Sequence, residues 1–232
     1  MTTDTPSPNP DWRRVVRAAM YDATLAELSH RYGTERVSFN YRWEHVTTVV
    51  TLALRLAELT GADVEIVEAA AWLHDSRKFS DGERHPIAGA AFARQLLPQT
   101  DFPPHKIDAV AQAIADHMGL WRDEPLVVLE SQVLWDADKL AKIGLTAVFH
   151  WAGSWLAGDQ MRALDDLIAR GRKADWQAKT VASMHTEPAR RAAQARLAAY
   201  RHLYDALEAE LQGMDLIDPA QARPTNKTGE TD

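Results

Sequence analysis

Apolar residues recur along almost the whole chain at three- and four-residue spacing, the period of helices that bury one face. In the stretch 42–60, for example, Val49, Leu52, Leu56 and Leu59 form one stripe, and the pattern stops at Thr60-Gly61, a helix-ending signal. The same reading predicts helices over 11–31, 63–74, 86–97, 104–118, 125–143, 145–157, 160–183 and 187–212. Pro104 and Pro188 stand near the starts of two of them, where proline is tolerated in the first turn. Residues 76–84 carry Ser80-Asp81-Gly82 and read as a loop. Alternating Val- and Ile-rich runs between turns, the mark of strands, are missing. The ends, 1–10 and 213–232, are rich in Pro, Thr, Asp and Gly and are expected to be mobile. With no fixed-period repeat and no internal linker, the expectation is an all-α fold. It would be a single-domain helical bundle over 11–212 with about 8–10 helices.

Composition narrows the function classes. The chain has 232 residues, sufficient for one domain with a sizeable core, and its 46% hydrophobic and 25% charged residues are ordinary for a globular protein. A net charge of −7 argues against nucleic acid or an anionic membrane as partner, although a small anion can still be held by a metal and a few local cations. The absence of cysteine excludes disulfides, thiolate ligands and cysteine nucleophiles, and fits a reducing cytoplasm. Residues 1–10 lack a basic-then-apolar signal pattern, and charges interrupt every apolar run before about 18 residues, so a soluble cytoplasmic protein is expected.

The chemistry-bearing residues lie at helix ends. His45 begins the apolar stripe of 42–60 and points toward the interior; alone, such a histidine is more often a core or capping residue than a ligand. His74-Asp75 follows the small, apolar run Ala69-Ala70-Ala71-Trp72-Leu73. A buried carboxylate there needs a compensating partner, and adjacent imidazole and carboxylate groups can reach one divalent cation. A late aspartate is the fourth candidate, and Asp136 and Asp138 compete for it. They lie about 200° apart on a helix, so they cannot face the same ion. Asp136 shares a face with Val133, Leu140 and Ile143, and Asp138 with Leu134, Ala141 and Leu145, so periodicity does not choose. His85 and His117 also sit at helix ends, which cluster at the open end of a bundle where metal sites are built. His30, His105, His150, His185 and His202 have no such company and read as surface or structural. Trp43, Trp72 and Trp135 each precede a proposed ligand by two or three residues and are candidates to wall the site. Two imidazoles with two carboxylates suit Mn, Fe, Co, Ni, Zn or a similar ion. No phosphate-binding glycine loop, dinucleotide fingerprint, H-E-x-x-H helix or serine elbow is present.

The order His45, His74-Asp75, Asp138 resembles the HD-domain metal-dependent phosphohydrolase superfamily, an all-α family with the signature H…HD…D. Glu44-His45-Val46, Ala71-Trp72-Leu73-His74-Asp75 and Asp136-Ala137-Asp138-Lys139-Leu140 are similar to its successive motifs, and His85-Pro86 and Ile114-x-x-His117 to the extra histidines of some branches. The resemblance is close over 42–145. Looser likeness extends through Met184–Ala198 to small stand-alone bacterial members. It implies His45, His74, Asp75 and Asp138 as ligands of a divalent ion (Mn, Mg, Fe, Co, Ni or Zn), with Asp136 outside the set. Many members carry Ile-Gly-Lys after the His-Asp pair; here Ser76-Arg77-Lys78 keeps the lysine but not the glycine.

The expected reaction is hydrolysis of a phosphate ester or anhydride in a small phosphorylated molecule, a nucleotide foremost. Asp75 is the candidate to orient or deprotonate the attacking water. Lys78, His85 and His117 complete the catalytic set, His85 and His117 either by steadying the leaving group or by holding a second ion. Arg42, Arg77, Lys78 and Lys139 are candidate phosphate contacts. The rivals are an oxygenase of the same fold using two irons, and a non-catalytic helical binding protein stabilised by metal. A homo-oligomer is possible.

Overall fold

A computed structural model describes residues 9–156, 163–173 and 175–216. Helix α1 (Trp12–Tyr32) is capped by Asp11, whose carboxylate accepts from Arg13 N, and closed by Gly33 in the left-handed region at φ 67°. Asn40 and Asp63 cap α2 (Tyr41–Thr60) and α3 (Val64–Leu73) in the same way. There follow α4 (Lys78–Asp81), α5 (His85–Leu96), α6 (Ile107–Asp116), α7 (Leu129–Leu140), α8 (Gly144–Leu156), α9 (Leu164–Arg172), α10 (Asp175–Ala182) and α11 (Glu187–Gln212). Among the described residues there is no strand. The all-α bundle expected from periodicity is observed.

The boundaries differ from expectation in four places. Residues 76–84 are not an open loop: α4 and a 3₁₀ turn, Gly82–Arg84, wind the chain tightly between His74 and His85. The helix expected from 104 opens as a 3₁₀ turn, Pro104–Lys106, before α6 proper. The helix expected from 125 starts only at Leu129, because Leu126 N donates to His185 Nε2 at 2.9 Å and holds the preceding segment against the carboxy-terminal half. The helix expected over 160–183 is two, α9 and α10, with Lys173 (ψ 29°) leaving helical geometry between them. Residues 157–162 and 174 of the predicted elements, and 1–8 and 217–232 of the predicted mobile ends, lie outside the described residues.

Helices α2, α3, α6 and α7 form the centre, with α1 and α5 packed on α3 and α6. In α7 every residue from Val133 to Leu140 is buried. A helix with no exposed face is a core helix, so any charge it carries must find its partner inside the protein. The carboxy-terminal helices α8 and α11 pack together and against α2 and α7. A satellite cluster of Ile168, Tyr200 and Tyr204 joins α9 to α11.

Candidate metal centre

The site assembles from four helix ends and one buried helix. His45 lies in the second turn of α2, its ring fully buried and parallel to that of Tyr41 at 5.9 Å. His74 caps the carboxy terminus of α3, and the fully buried alanines Ala69, Ala70 and Ala71 let the central helices close around it. His117 caps α6, and His85 is the first residue of α5. Asp138 comes from the enclosed α7.

Three of the histidines share one device. The Nδ1 of His74 lies 2.7 Å from the carbonyl of Ala71, that of His85 2.6 Å from Gly82 O, and that of His117 2.5 Å from Ile114 O. A carbonyl can only accept, so each Nδ1 donates a proton to it and each Nε2 is turned inward, free to ligate when the ring is neutral. Fixing the tautomer through the outer nitrogen is how proteins prepare imidazoles to ligate metal.

The inward atoms form two groups. One ligand atom each from His45, His74 and Asp138 lie within 4.8 Å of one another, and so do atoms from Asp75, His85 and His117. Asp75 stands between the groups. Its Oδ2 is 3.9 Å from His45 Nε2 and 3.8 Å from His74 Nε2, and its Oδ1 is 3.3 Å from His85 Nε2 and 3.7 Å from His117 Nε2. His45 Nε2 is 3.1 Å from Asp138 Oδ1. Yet both nitrogens of His45 and Nε2 of His74 are buried without a hydrogen-bond partner, while Asp138 Oδ1 has the Lys142 ammonium 2.6 Å away as its ion-pair partner. Buried imidazole nitrogens gathered beside a carboxylate in a dry interior fit a divalent cation. In the second group, His85 Nε2 and His117 Nε2 are 3.1 Å apart and both lie near Asp75 Oδ1, an arrangement that a shared proton or a cation suits.

The electrostatics agree with a cation-ready site. Burial would raise the Asp75 carboxyl, but His74, the Arg42 guanidinium, His117 and His85 outweigh it and hold it well below the usual carboxylate range. Burial likewise opposes ionisation of Asp138, and Lys139, Lys142 and His45 reverse the balance. Burial lowers His45 and His117 and brings His74 down to about 3, so these imidazoles are neutral, the form that ligates.

The cationic residues separate by position. Arg42 is tied to Asp75 and, at 3.0 Å, to the buried Glu27 of α1. Lys139 is fully buried; its ammonium contacts Asp138, donates to His117 O at 2.7 Å and lies 4.1 Å over the Trp135 ring. Burial pushes it down to about 8. Arg77 lies 3.8 Å over the Phe92 ring, and the Lys78 ammonium is 3.3 Å from His85 Nε2. Trp43 and Trp72 pack on each other at 5.7 Å with Arg17 against both rings, on the α1 side of the core. Of the three tryptophans only Trp135 touches a residue of the centre, Lys139.

Three contributors escaped sequence reasoning. Lys142, one turn after Asp138, has its ammonium 2.6 Å from Asp138 Oδ1. Tyr41 stacks on His45, and Glu27 anchors Arg42. Only Lys142 left a signal, its i+4 spacing from an aspartate. Asp136, by contrast, faces away from the centre: it accepts from His185 N at 2.8 Å, Thr186 N at 2.7 Å and Thr186 Oγ1 at 2.7 Å. Next to the centre, sharing Tyr41 and Lys142 with it, opens a cleft of ≈ 620 Å³.

Residues 42–143 match the HD domain family. His45, His74, Asp75, His85, His117 and Asp138 all stand in that matched segment. The crystal structure of a predicted HD superfamily hydrolase from an uncultured Thermotogales bacterium is similar over 86% of this chain and 91% of its own, at TM-score 0.57 and 24% identity. That of Bacillus subtilis YpgQ in complex with ADP is similar over 86% and 100%, at TM-score 0.59 and 22% identity. An HD-superfamily hydrolase from Bacillus thuringiensis is similar over 84% and 98%, at TM-score 0.56 and 20% identity. No curated protein matches the chain in sequence. Among the described residues no helix is long and apolar enough to cross a membrane.

Proposed function

We propose that the chain is a metal-dependent phosphohydrolase that cleaves a phosphate ester or anhydride of a small molecule, a nucleotide foremost. The observation that carries this reading is the convergence of buried ligand atoms from His45, His74 and Asp138, the two imidazoles without a hydrogen-bond partner at Nε2, beside the ionised Asp75. In this reading His45, His74, Asp75 and Asp138 hold a divalent ion. When bound there, such an ion polarises a phosphoryl oxygen and acidifies water at neutral pH. Asp75, ionised between the two groups, orients the attacking water through the oxygen that does not face Arg42. Arg42 and Glu27 keep that carboxylate in place. His85 and His117 hold a second ion or the leaving group, with Lys78 beside them as a phosphate contact. Lys139 is enclosed and serves Asp138, and Arg77 remains a candidate phosphate contact from its place on Phe92. The nucleotide preference gains support from the ADP held by YpgQ, which shares the fold.

Metal analysis of the purified chain, followed by a phosphate-release screen over nucleotides with added Mn, Mg, Co and Ni, tests the proposal. Stoichiometric divalent metal and metal-dependent release are expected; absence of release from every nucleotide counts against it. The bridging place of Asp75 also suits an oxygenase with two irons. Bound iron with a product that forms only in the presence of oxygen would favour that second reading.

A further inference from the structure

The cleft beside the metal centre has a chemistry of its own. It begins at Tyr41 and Lys142 and runs between α8, α9, α10 and α11, mostly beyond the segment that matches the HD domain. Its ≈ 620 Å³ lies within the range of small-molecule sites. Lys142, Arg170 and Lys173 line it, and among the described lining residues none is acidic, in a chain of net charge −7. Cations in a wall with no carboxylate among its described residues, Lys142 being paired behind the wall with Asp138, favour an anion in an acidic protein. The remaining wall is aromatic, with Trp151 and Trp176 beyond Tyr41. The Arg170 guanidinium lies 4.7 Å over the Trp151 ring, which keeps that indole at the cleft wall. The cationic and aromatic features are not mixed at random. Lys142 touches Asp138, so one cationic end abuts the metal centre, and the indoles lie farther along.

We propose that this cleft recognises a nucleoside polyphosphate end-on. The phosphates run from the metal centre past Lys142, and the base packs against the Arg170–Trp151 pair, with Lys173 beside it. The placement of the reacting phosphate rests on the phosphohydrolase reading; the aromatic subsite does not. Stacking on an indole tolerates any base, so the site discriminates for a nucleoside over a bare phosphate chain rather than among bases.

The test titrates the full-length chain, loaded with Mn, with α,β-methylene-ADP and with methylenediphosphonate, which carries the same bridged phosphates without the nucleoside. The protein is expected to bind the nucleotide analogue at least tenfold more tightly. Trp151→Ala should erase that preference and Trp151→Phe should keep it. Lys173→Glu, at an exposed position whose change cannot empty the core, should weaken the nucleotide analogue several-fold. Equal affinities for the two ligands, or a preference that survives Trp151→Ala and Lys173→Glu, would overturn the proposal. Phosphate release from ATP in the same preparations separates the two claims. Preference without turnover keeps the cleft and sinks the phosphohydrolase, whereas turnover without preference does the reverse.

Discussion

At the scale of the residue, two aspartates two positions apart do opposite work. Asp138 faces the metal centre, while Asp136 gathers three donors at the start of α11. Asp138→Asn and His74→Ala should each reduce bound metal to substoichiometric levels and abolish turnover, with the helical circular dichroism retained. Asp136→Ala should leave metal stoichiometry intact and lower stability by roughly 2–4 kcal/mol in urea titration, because it strands buried N–H groups. Full metal binding in His74→Ala would remove that residue from the site. The buried imidazoles also set a pH dependence for the metal-free protein. Burial holds His74 near 3 against an ordinary value of 6.5, and it lowers His45 and His117 as well. Above about 6.5 both folded and unfolded chains carry these rings neutral, and they contribute nothing to the pH dependence. Below that, the unfolded chain takes up protons that the folded chain refuses, so stability falls as pH falls, by up to about 1.4 kcal/mol per pH unit for each ring. Depressed Asp75 and Asp138 add a further loss below about pH 4. Melting of the EDTA-treated chain between pH 8 and pH 4 measures this, and a flat profile would contradict it.

At the scale of the element, the period of apolar residues located α1, α2, α3 and α11 nearly to the residue, since each has a capping side chain at its start or glycine at its end. It failed on α7 for a physical reason. A helix buried on every side has no polar face, so periodicity carries no phase, and the inward direction of Asp138 could come only from resemblance. It failed again at 160–183, where the interruption at Lys173 follows no proline or turn motif. Packing between α5 and the centre is tight. A Cβ on Gly89 would lie 3.1 Å from Ile114 Cγ2, itself fully buried, and 3.6 Å from His74 O. Gly89→Ala should therefore cost about 1–3 kcal/mol by overpacking. It should also loosen α5, which carries His85, against the His74 turn. A lower melting temperature with an unchanged helical spectrum is the expected readout.

At the scale of the whole molecule, the metal centre is a junction. It lies where α2, α3, α5, α6 and α7 meet, and the buried imidazole nitrogens without partners there oppose folding until a cation offsets them. A divalent ion that binds only the folded chain should stabilise it by about 4 kcal/mol when free ion exceeds Kd a thousandfold. Thermal melts across a Mn titration check this, and no shift with any divalent metal would argue that the lone pairs are satisfied in some other way. The cleft extends the junction toward α8–α11 and joins an HD domain to a carboxy-terminal half outside it.

The amino-acid order alone determined the all-helical class, most helix limits and the identity of the ligand candidates. Those properties are local: they follow from the spacing of apolar residues, caps and a short motif. Tertiary structure decided everything that depends on direction across the core. It turned Asp138 inward and Asp136 toward α11, withdrew Lys139 from solvent, brought Glu27 and Lys142 to the centre, and gathered cations and indoles from separate helices into one cleft. Side chains from helices far apart in sequence meet only when packing fixes the angle of each helix, and no local pattern encodes that angle.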